Sequence, residues 1–375
     1  MTPNEHLDRL YLLAEANPKA ASIRDATARE KLEYVCTYLR NRACVRLLMA
    51  CFLAKVHVPK LDPRKPYAKI RSKDSFAGRT AYDQKYIQSF IRKHRLPCNP
   101  TTAFLTPGFR NFNKVLTTKA KLEGTPQKLY TATLELLDVV ASGTETAEQV
   151  FVDLLRHLIR MRDERLSRMV TLQAGLRAAG PDDLPVSTEA IVELLRQHLA
   201  CKNTSRLAVL IVAAAYQTVG DRIGEQVKPL HSHNAADEQT GAAGDVEITL
   251  VNEEQVRTVY EMKQKPVTID DLDRAVEKSS ALPHRIDNYI FVSSEPAEAA
   301  IVAYAAELYE STGGTEFAIL DCLGFLRHYL HLFHRSRMAF LDAYQELVLA
   351  EPDSAVSLPL KEVFLTLRLQ AEAES

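Results

Sequence analysis

The chain has 375 residues, with 47 Lys and Arg against 48 Asp and Glu, six cysteines and no tryptophan. That length is enough for two or three domains with sizeable cores. Three classes are excluded. No apolar run reaches bilayer length, the longest being Leu207 to Tyr216. The cysteines show neither C-x-x-C nor metal spacing, so they read as reduced thiols. There is no internal repeat or low-complexity stretch.

The elements follow in chain order. The opening MTPNEHLDRLYLL lacks a basic leader with an apolar core, so no secretion signal is expected and a cytoplasmic location is. Leu7, Leu10, Tyr11 and Ala14 have helical spacing. Leu32 to Val58, with Val35, Leu39, Leu47 and Leu48, predicts a second helix, and the two make a scaffolding pair.

From Lys55 to Arg95 there are twelve Lys or Arg against three acids, Asp62, Asp74 and Asp83. Charge is therefore segregated along a chain whose total is balanced. Tyr67, Phe76, Tyr82, Tyr86 and Phe90 are interleaved, so part of the segment folds. Two readings stand: a nucleic-acid footprint, or a solvated basic face packed on acidic parts of the chain. Arg71, Lys73, Arg79 and Lys85 are the candidate contacts. Residues 94 to 114 hold Pro97, Pro100 and Pro107, which forbid a long regular element. Arg110 and Asn111 there are residue types that read bases or phosphates; a proline-braced connector is the alternative.

Leu129 to Leu199 reads as helical, with Ser187-Thr188-Glu189 opening a new helix after the Gly180 to Pro185 loop. Leu207 to Gly220 predicts a buried helix continuing toward Glu225 and Val227. Glu225 is either a surface residue or a further carboxylate for a metal. His231, His233 and Asn234 lie in the following polar loop, where His233 and Asn234 could touch DNA.

Gly244 to Lys265 reads as two strands joined by a turn. Val246, Ile248 and Leu250 alternate with polar residues, and Val256 to Lys263 alternates again. Glu261 and Lys263 share one strand face while Met262 points to the other. A hairpin would bring Asp245 beside Glu261. Two carboxylates on neighbouring strands suit one Mg²⁺, which acts on phosphodiesters as a Lewis acid and water activator. A lysine beside them can orient a water, deprotonate it or hold a phosphate oxygen. An E-x-K on a strand can equally be a solvated face with a weak ion pair. The hairpin needs an odd loop; an even one puts Asp245 on the wrong face unless a bulge corrects it.

A helix capped by Thr268 or Asp270 runs to about Leu282. Tyr289 to Val292 and Phe317 to Leu320 are buried strands, Pro296 to Tyr309 is a helix, and Leu323 to Leu349 is one long helix. Apolar strands alternating with helices predict an α/β fold, a mixed sheet with helices on both faces, behind a mainly α-helical N-terminal half.

This order of elements, with Asp245 on one strand and Glu261-x-Lys263 on the next, resembles the PD-(D/E)xK nuclease superfamily over roughly residues 205 to 325. The first motif is Gly-Asp here where the superfamily has Pro-Asp. The stretches SFAGRTAYDQKYIQSFI and HRLPCNPTTAFLTPGFRN resemble type II restriction endonucleases of the SacI family. The resemblance implies a Mg²⁺-dependent endonuclease cutting double-stranded DNA at a short, palindromic site. Asp245 and Glu261 would be metal ligands and Lys263 the catalytic lysine. A homodimer would match the two-fold site, and a methyltransferase would protect host DNA. Residues 1–128 would then be a helical and basic recognition region, 129–204 a helical connector and 205–375 the catalytic domain. Two alternatives stay open: a repair or modification-dependent nuclease on the same fold, and a DNA-binding protein with a degenerate nuclease fold.

Overall fold

A computed structural model describes residues 1–99, 101–177, 184–230 and 242–374. The chain forms two compact units, Met1–Ser167 and Arg168–Ser375.

The first unit is helical. Its opening helices are α1 (Pro3–Ala16), α2 (Ala26–Thr37) and α3 (Ala43–His57). Thr2 and Glu5 close a capping box at the start of α1, with Pro3 in the first turn. Every residue from Ala43 to Ala54 is buried, as expected of a helix that is apolar all round. The expected helical pair is therefore three helices. The Leu32 to Val58 stretch breaks after Thr37, leaving Leu39 60% exposed. Asn41 is the cause: its side-chain oxygen accepts the Ala43 N–H at 3.1 Å and starts a new helix there. The short α4 (Gln88–Lys93) and α5 (Gln127–Ala141) follow, and α6 (Ala147–Arg177) begins in this unit and ends in the next.

The basic segment folds between α3 and α5. A π-helical run, Gly78–Ile87, leads directly into α4. Tyr67, Phe76, Tyr82, Ile87, Phe90 and Ile91 are buried with α3 in one core. All three acids of the segment are engaged within this unit: Asp62 with Arg64, Asp74 with Lys65, and Asp83 with Arg46 of α3.

The second unit is α/β. Its sheet runs in the order β1 (Glu225–Val227), β2 (Val246–Leu250), β3 (Val256–Lys263), β4 (Asn288–Ser293), β5 (Glu316–Asp321). The first three strands are antiparallel; β3, β4 and β5 are parallel. Seven helices of this unit are α7 (Thr188–Leu199), α8 (Ser205–Ile223), α9 (Ile269–Ser280), α10 (Ala299–Ser311), α11 (Cys322–Leu332), α12 (Arg337–Ala350) and α13 (Leu358–Ala373). Val246, Ile248, Tyr260 and Val292 face a core built with α7, α8, α11, α12 and α13. Val259, Tyr289, Phe291 and Phe317 face the other way, onto α9 and α10. The mixed sheet with helices on both faces is thus observed.

Two expectations are corrected. The helix before the hairpin does not continue through Glu225 and Val227. Gly224 adopts φ 75° and ends α8, a left-handed cap that favours glycine. The next three residues become the edge strand β1. Nor is Leu323 to Leu349 one helix. The chain leaves helical geometry at Phe333, makes a 3₁₀ turn at His334–Ser336 and restarts as α12. Arg222 donates to Ser336 Oγ at 3.0 Å and Arg337 to the Val186 carbonyl at 2.8 Å, so tertiary contacts hold the corner. Among the described residues no helix is long and apolar enough to cross a membrane.

Candidate active site

The site starts from the hairpin register. Val246, Glu247 and Ile248 pair with Tyr260, Val259 and Thr258, but Thr249 pairs with Val256, so Arg257 is a bulge. Residues 250–255 between Thr249 and Val256 are an even number, and the bulge restores the register that such a loop would lose. One step beyond Val246–Tyr260, Asp245 stands opposite Glu261. The Asp245 N–H donates to the Tyr260 carbonyl at 2.9 Å, and the Met262 N–H donates to Asp245 Oδ2 at 2.7 Å. Gly244 makes this approach possible. A Cβ there would lie 2.5 Å from Val259 Cγ1 and 2.9 Å from the Tyr260 carbonyl.

Side chains two apart share a strand face. Asp245, Glu261 and Lys263 therefore meet on the face toward α9, while Met262 packs in the opposite core. Asp245 is exposed and Glu261 and Lys263 are half-buried. Lys263 Nζ lies 2.8 Å from Glu261 Oε1 and 3.0 Å from Asp271 Oδ1. Lys278 Nζ, from α9, lies 3.1 Å from Glu261 Oε2, which also accepts the Tyr289 hydroxyl.

These neighbours set the charges. Burial opposes ionisation of Glu261, but Lys263, Tyr289 and Lys278 outweigh it and hold its carboxyl below the usual range. Burial likewise opposes the Lys263 ammonium, and Glu261 and Asp271 outweigh that, holding its pKa above the ordinary lysine value. Asp271 is drawn down to about 2 against its own burial by Lys263 and Thr268.

Asp271, Lys278 and Tyr289 were not singled out in the sequence. Asp271 completes the Thr268 capping box of α9, so a cap is where its signal lay. Lys278 is two turns further along the same helical face. Tyr289 carries no polar signal at all, sitting in an apolar strand. Glu247, on the same strand face as Asp245, is buried as well; it accepts the Ala243 N–H at 2.7 Å and pairs with Lys228 at 3.1 Å.

Glu225 is not brought to this group. It pairs with Leu250, the far end of β2, about 17 Å along the strand from Asp245, and on the opposite sheet face. His231, His233 and Asn234 lie outside the described residues. In the first unit Arg71, Lys73, Arg79, Lys85, Arg110 and Asn111 are all exposed. Tyr67 donates its hydroxyl to the Phe109 carbonyl at 3.0 Å and packs on Phe104 and Phe112. The loop carrying Arg110 and Asn111 is thereby fixed to the basic segment.

Among the described residues no group of three or more His, Cys, Asp or Glu gathers to hold a metal. Two same-face carboxylates are nonetheless the donor chemistry of Mg²⁺, which is bound through one or two carboxylates with water and substrate phosphate. Asp245 and Glu261 fit that requirement.

Residues 185–295 match the family model of the SacI restriction endonuclease C-terminal domain. Asp245, Glu261, Lys263, Asp271, Lys278 and Tyr289 all fall inside that span. The resemblance to this family read from the sequence thus stands on a match to a different part of the chain from the stretches quoted above. No curated protein matches the chain.

Proposed function

From the likeness of residues 185–295 to a restriction endonuclease domain, we propose that the chain is a Mg²⁺-dependent type II restriction endonuclease. It hydrolyses both strands of double-stranded DNA at a short palindromic site. The observation that carries this reading is the hairpin register, which puts Asp245 opposite Glu261 with Lys263 next on the same face. The second unit would then be a PD-(D/E)xK core.

When bound, Mg²⁺ supplies Lewis-acid polarisation of the phosphoryl oxygen and a more acidic water. The chain's own groups do the rest. Asp245 and Glu261 are the metal ligands. Lys263, held protonated by Glu261 and Asp271, meets the charge of a phosphate oxygen. Asp271 fixes the lysine, and Tyr289 fixes the Glu261 carboxylate. Arg71, Lys73, Arg79 and Lys85 serve the phosphate backbone, and Arg110 and Asn111 the base edges. A homodimer suits a palindrome, one site for each strand. A cognate methyltransferase protects host DNA in the cytoplasm.

The test is digestion of unmethylated phage DNA by purified protein with Mg²⁺ and with EDTA. Discrete bands that need Mg²⁺ are expected, and sequencing the ends gives the site. A smear, or no cutting with salt-dependent binding retained, would overturn the site-specific endonuclease.

A further inference from the structure

We propose that the helix from Gly78 to Lys93 reads base edges in the major groove of double-stranded DNA, with Gln84, Gln88 and Arg92 as the reading side chains. This deepens the nuclease reading above and rests on it.

The helix is built in two geometries. Gly78–Ile87 is π-helical and continues as α4, with the Gln88 N–H donating to the Asp83 carbonyl five residues back. Bonds of that reach put residues five apart nearly one above the other. In an α-helix such residues are turned about 140° from each other. The wide turns therefore bring Arg79 into line with Gln84, and steps of four carry the line through Gln88 to Arg92. Arg79, Gln84 and Arg92 are exposed and Gln88 is half-buried. Lys85 and Lys93 stand on the neighbouring row, both exposed. Among the described residues, Lys93 alone of these four cations enters an ion pair, with Asp8 at 3.1 Å.

The other side of the helix is its anchor, where Tyr82, Asp83, Ile87, Phe90 and Ile91 are buried. Asp83 is the one acid between Gly78 and Lys93, and Arg46 takes it at 2.7 Å with both side chains out of solvent. The outward face thus carries cations and amides and no carboxylate. The same pair fixes the rotation of the helix about its axis, so the core aims the row.

Positive charge without negative suits a polyanion. The two glutamines point to which part of it. A phosphate needs only cations, whereas a side-chain amide presents a donor and an acceptor together. That is the complement of adenine N7 and N6, as the arginine fork is of guanine O6 and N7. The major groove is the one that admits a helix. Arg79 and Lys85 then flank the readers and meet phosphates.

The experiment is digestion of a pool of randomised duplexes by the full chain with Mg²⁺, followed by sequencing of the cut ends. It compares the wild type with Gln84→Ala, Gln88→Ala and Arg92→Ala. Each variant should lose about tenfold to a hundredfold of its preference at one position of the site and keep it elsewhere. The two glutamine variants should keep the wild-type dependence of affinity on salt, since no charge is removed. Gln88→Glu, whose carboxylate accepts from cytosine N4, should change the preferred base. A variant too slow to yield ends is read by competition binding between the wild-type site and its single-base variants. Unchanged preference in all the variants, or a loss of affinity equal on every sequence, overturns the reading helix and leaves the nuclease reading intact. Absence of cutting by the wild type overturns the nuclease reading, and this assignment with it.

Discussion

Arg46 and Asp83 in the first unit pair at 2.7 Å with side chains 1% and 0% exposed, whereas Glu261 in the second unit shares its oxygens between two lysines and stays reachable. The first pair is closed. Arg46 also donates from Nη1 to the Asn99 carbonyl at 2.6 Å, so it fastens the π-helical run and the loop after α4 to α3. Water and ligands have no access, and the pair can only brace. The second cluster has the same ingredients in another proportion. Three carboxylates and two lysines lie at a strand end, with Asp245 exposed, so the cluster is open to ions from solvent. Charge type does not separate a brace from a reactive site; access and redundancy of partners do.

The comparison breaks most sharply at the second cluster. Asp245→Ala or Lys263→Ala should slow cleavage by at least about a thousandfold, ~4 kcal/mol of activation free energy, with the melting temperature little changed and specific DNA binding still measurable. Retained cutting by either purified variant removes the site assignment. The brace should behave in the opposite way. Arg46→Ala leaves Asp83 buried and uncompensated, so unfolding free energy should drop by about 3–5 kcal/mol, measured by urea denaturation. A variant near wild-type stability would mean that the pair is not the fastening described here.

A third buried polar group sharpens the contrast through pH. His198, between the Tyr344 hydroxyl and the Leu360 carbonyl at 3.1 Å each, is pushed down by burial to about 4. The folded protein keeps this imidazole neutral, while the unfolded chain protonates it near the ordinary histidine value of 6.5. Between those values the unfolded state binds the extra proton. Stability is therefore full above pH 6.5 and declines as pH falls toward 4, by up to about 3 kcal/mol. Urea unfolding of wild type and His198→Gln across this range reads the difference. A pH slope unchanged by the substitution would show that His198 is not its source.

The hairpin and its candidate residues were legible because strand alternation is a local signal. Val246 to Leu250 and Val256 to Lys263 each show it, and Glu261 and Lys263 follow from counting by two. The capped start of α9 was legible at Thr268 for the same reason. What could not be read was everything that tertiary structure supplies. The bulge at Arg257 has no residue signature. β1 is three residues long and sits behind a helix that ends at Gly224, so no periodicity marks it. The corner at Phe333 contains neither proline nor glycine, and it is held by Arg222 and Arg337 from distant contacts. Lys278 and Tyr289 meet Glu261 only because α9 and β4 pack against β3. The N-terminal helices were visible as helical but miscounted, since Asn41 acts through a side-chain hydrogen bond in an otherwise apolar run.

The smallest effects belong to single surface cations, and they carry the comparison into the basic segment. Among the described residues Arg71, Lys73, Arg79 and Lys85 enter no ion pair, and all are exposed. Arg64, a few residues away, pairs with Asp62 at 2.9 Å and Asp138 at 3.1 Å. Those two carboxylates, Asp62 first and against the burial of the guanidinium, raise its pKa above the ordinary arginine value. Replacing one exposed cation by Gln should leave the melting temperature alone. It should lower the slope of log DNA affinity against log salt by about 0.9, since one phosphate neutralisation is lost. Arg64→Gln should do the reverse, lowering stability while leaving the salt slope near wild type, because its charge is already spent inside the fold. Arg110→Ala and Asn111→Ala should differ from both, relaxing preference among DNA sequences more than they change the salt slope. If the four exposed cations leave the slope untouched, the basic segment is a solvated face and DNA binds elsewhere. If Arg64→Gln moves the slope as much as they do, the division between braced and available charge fails in this unit.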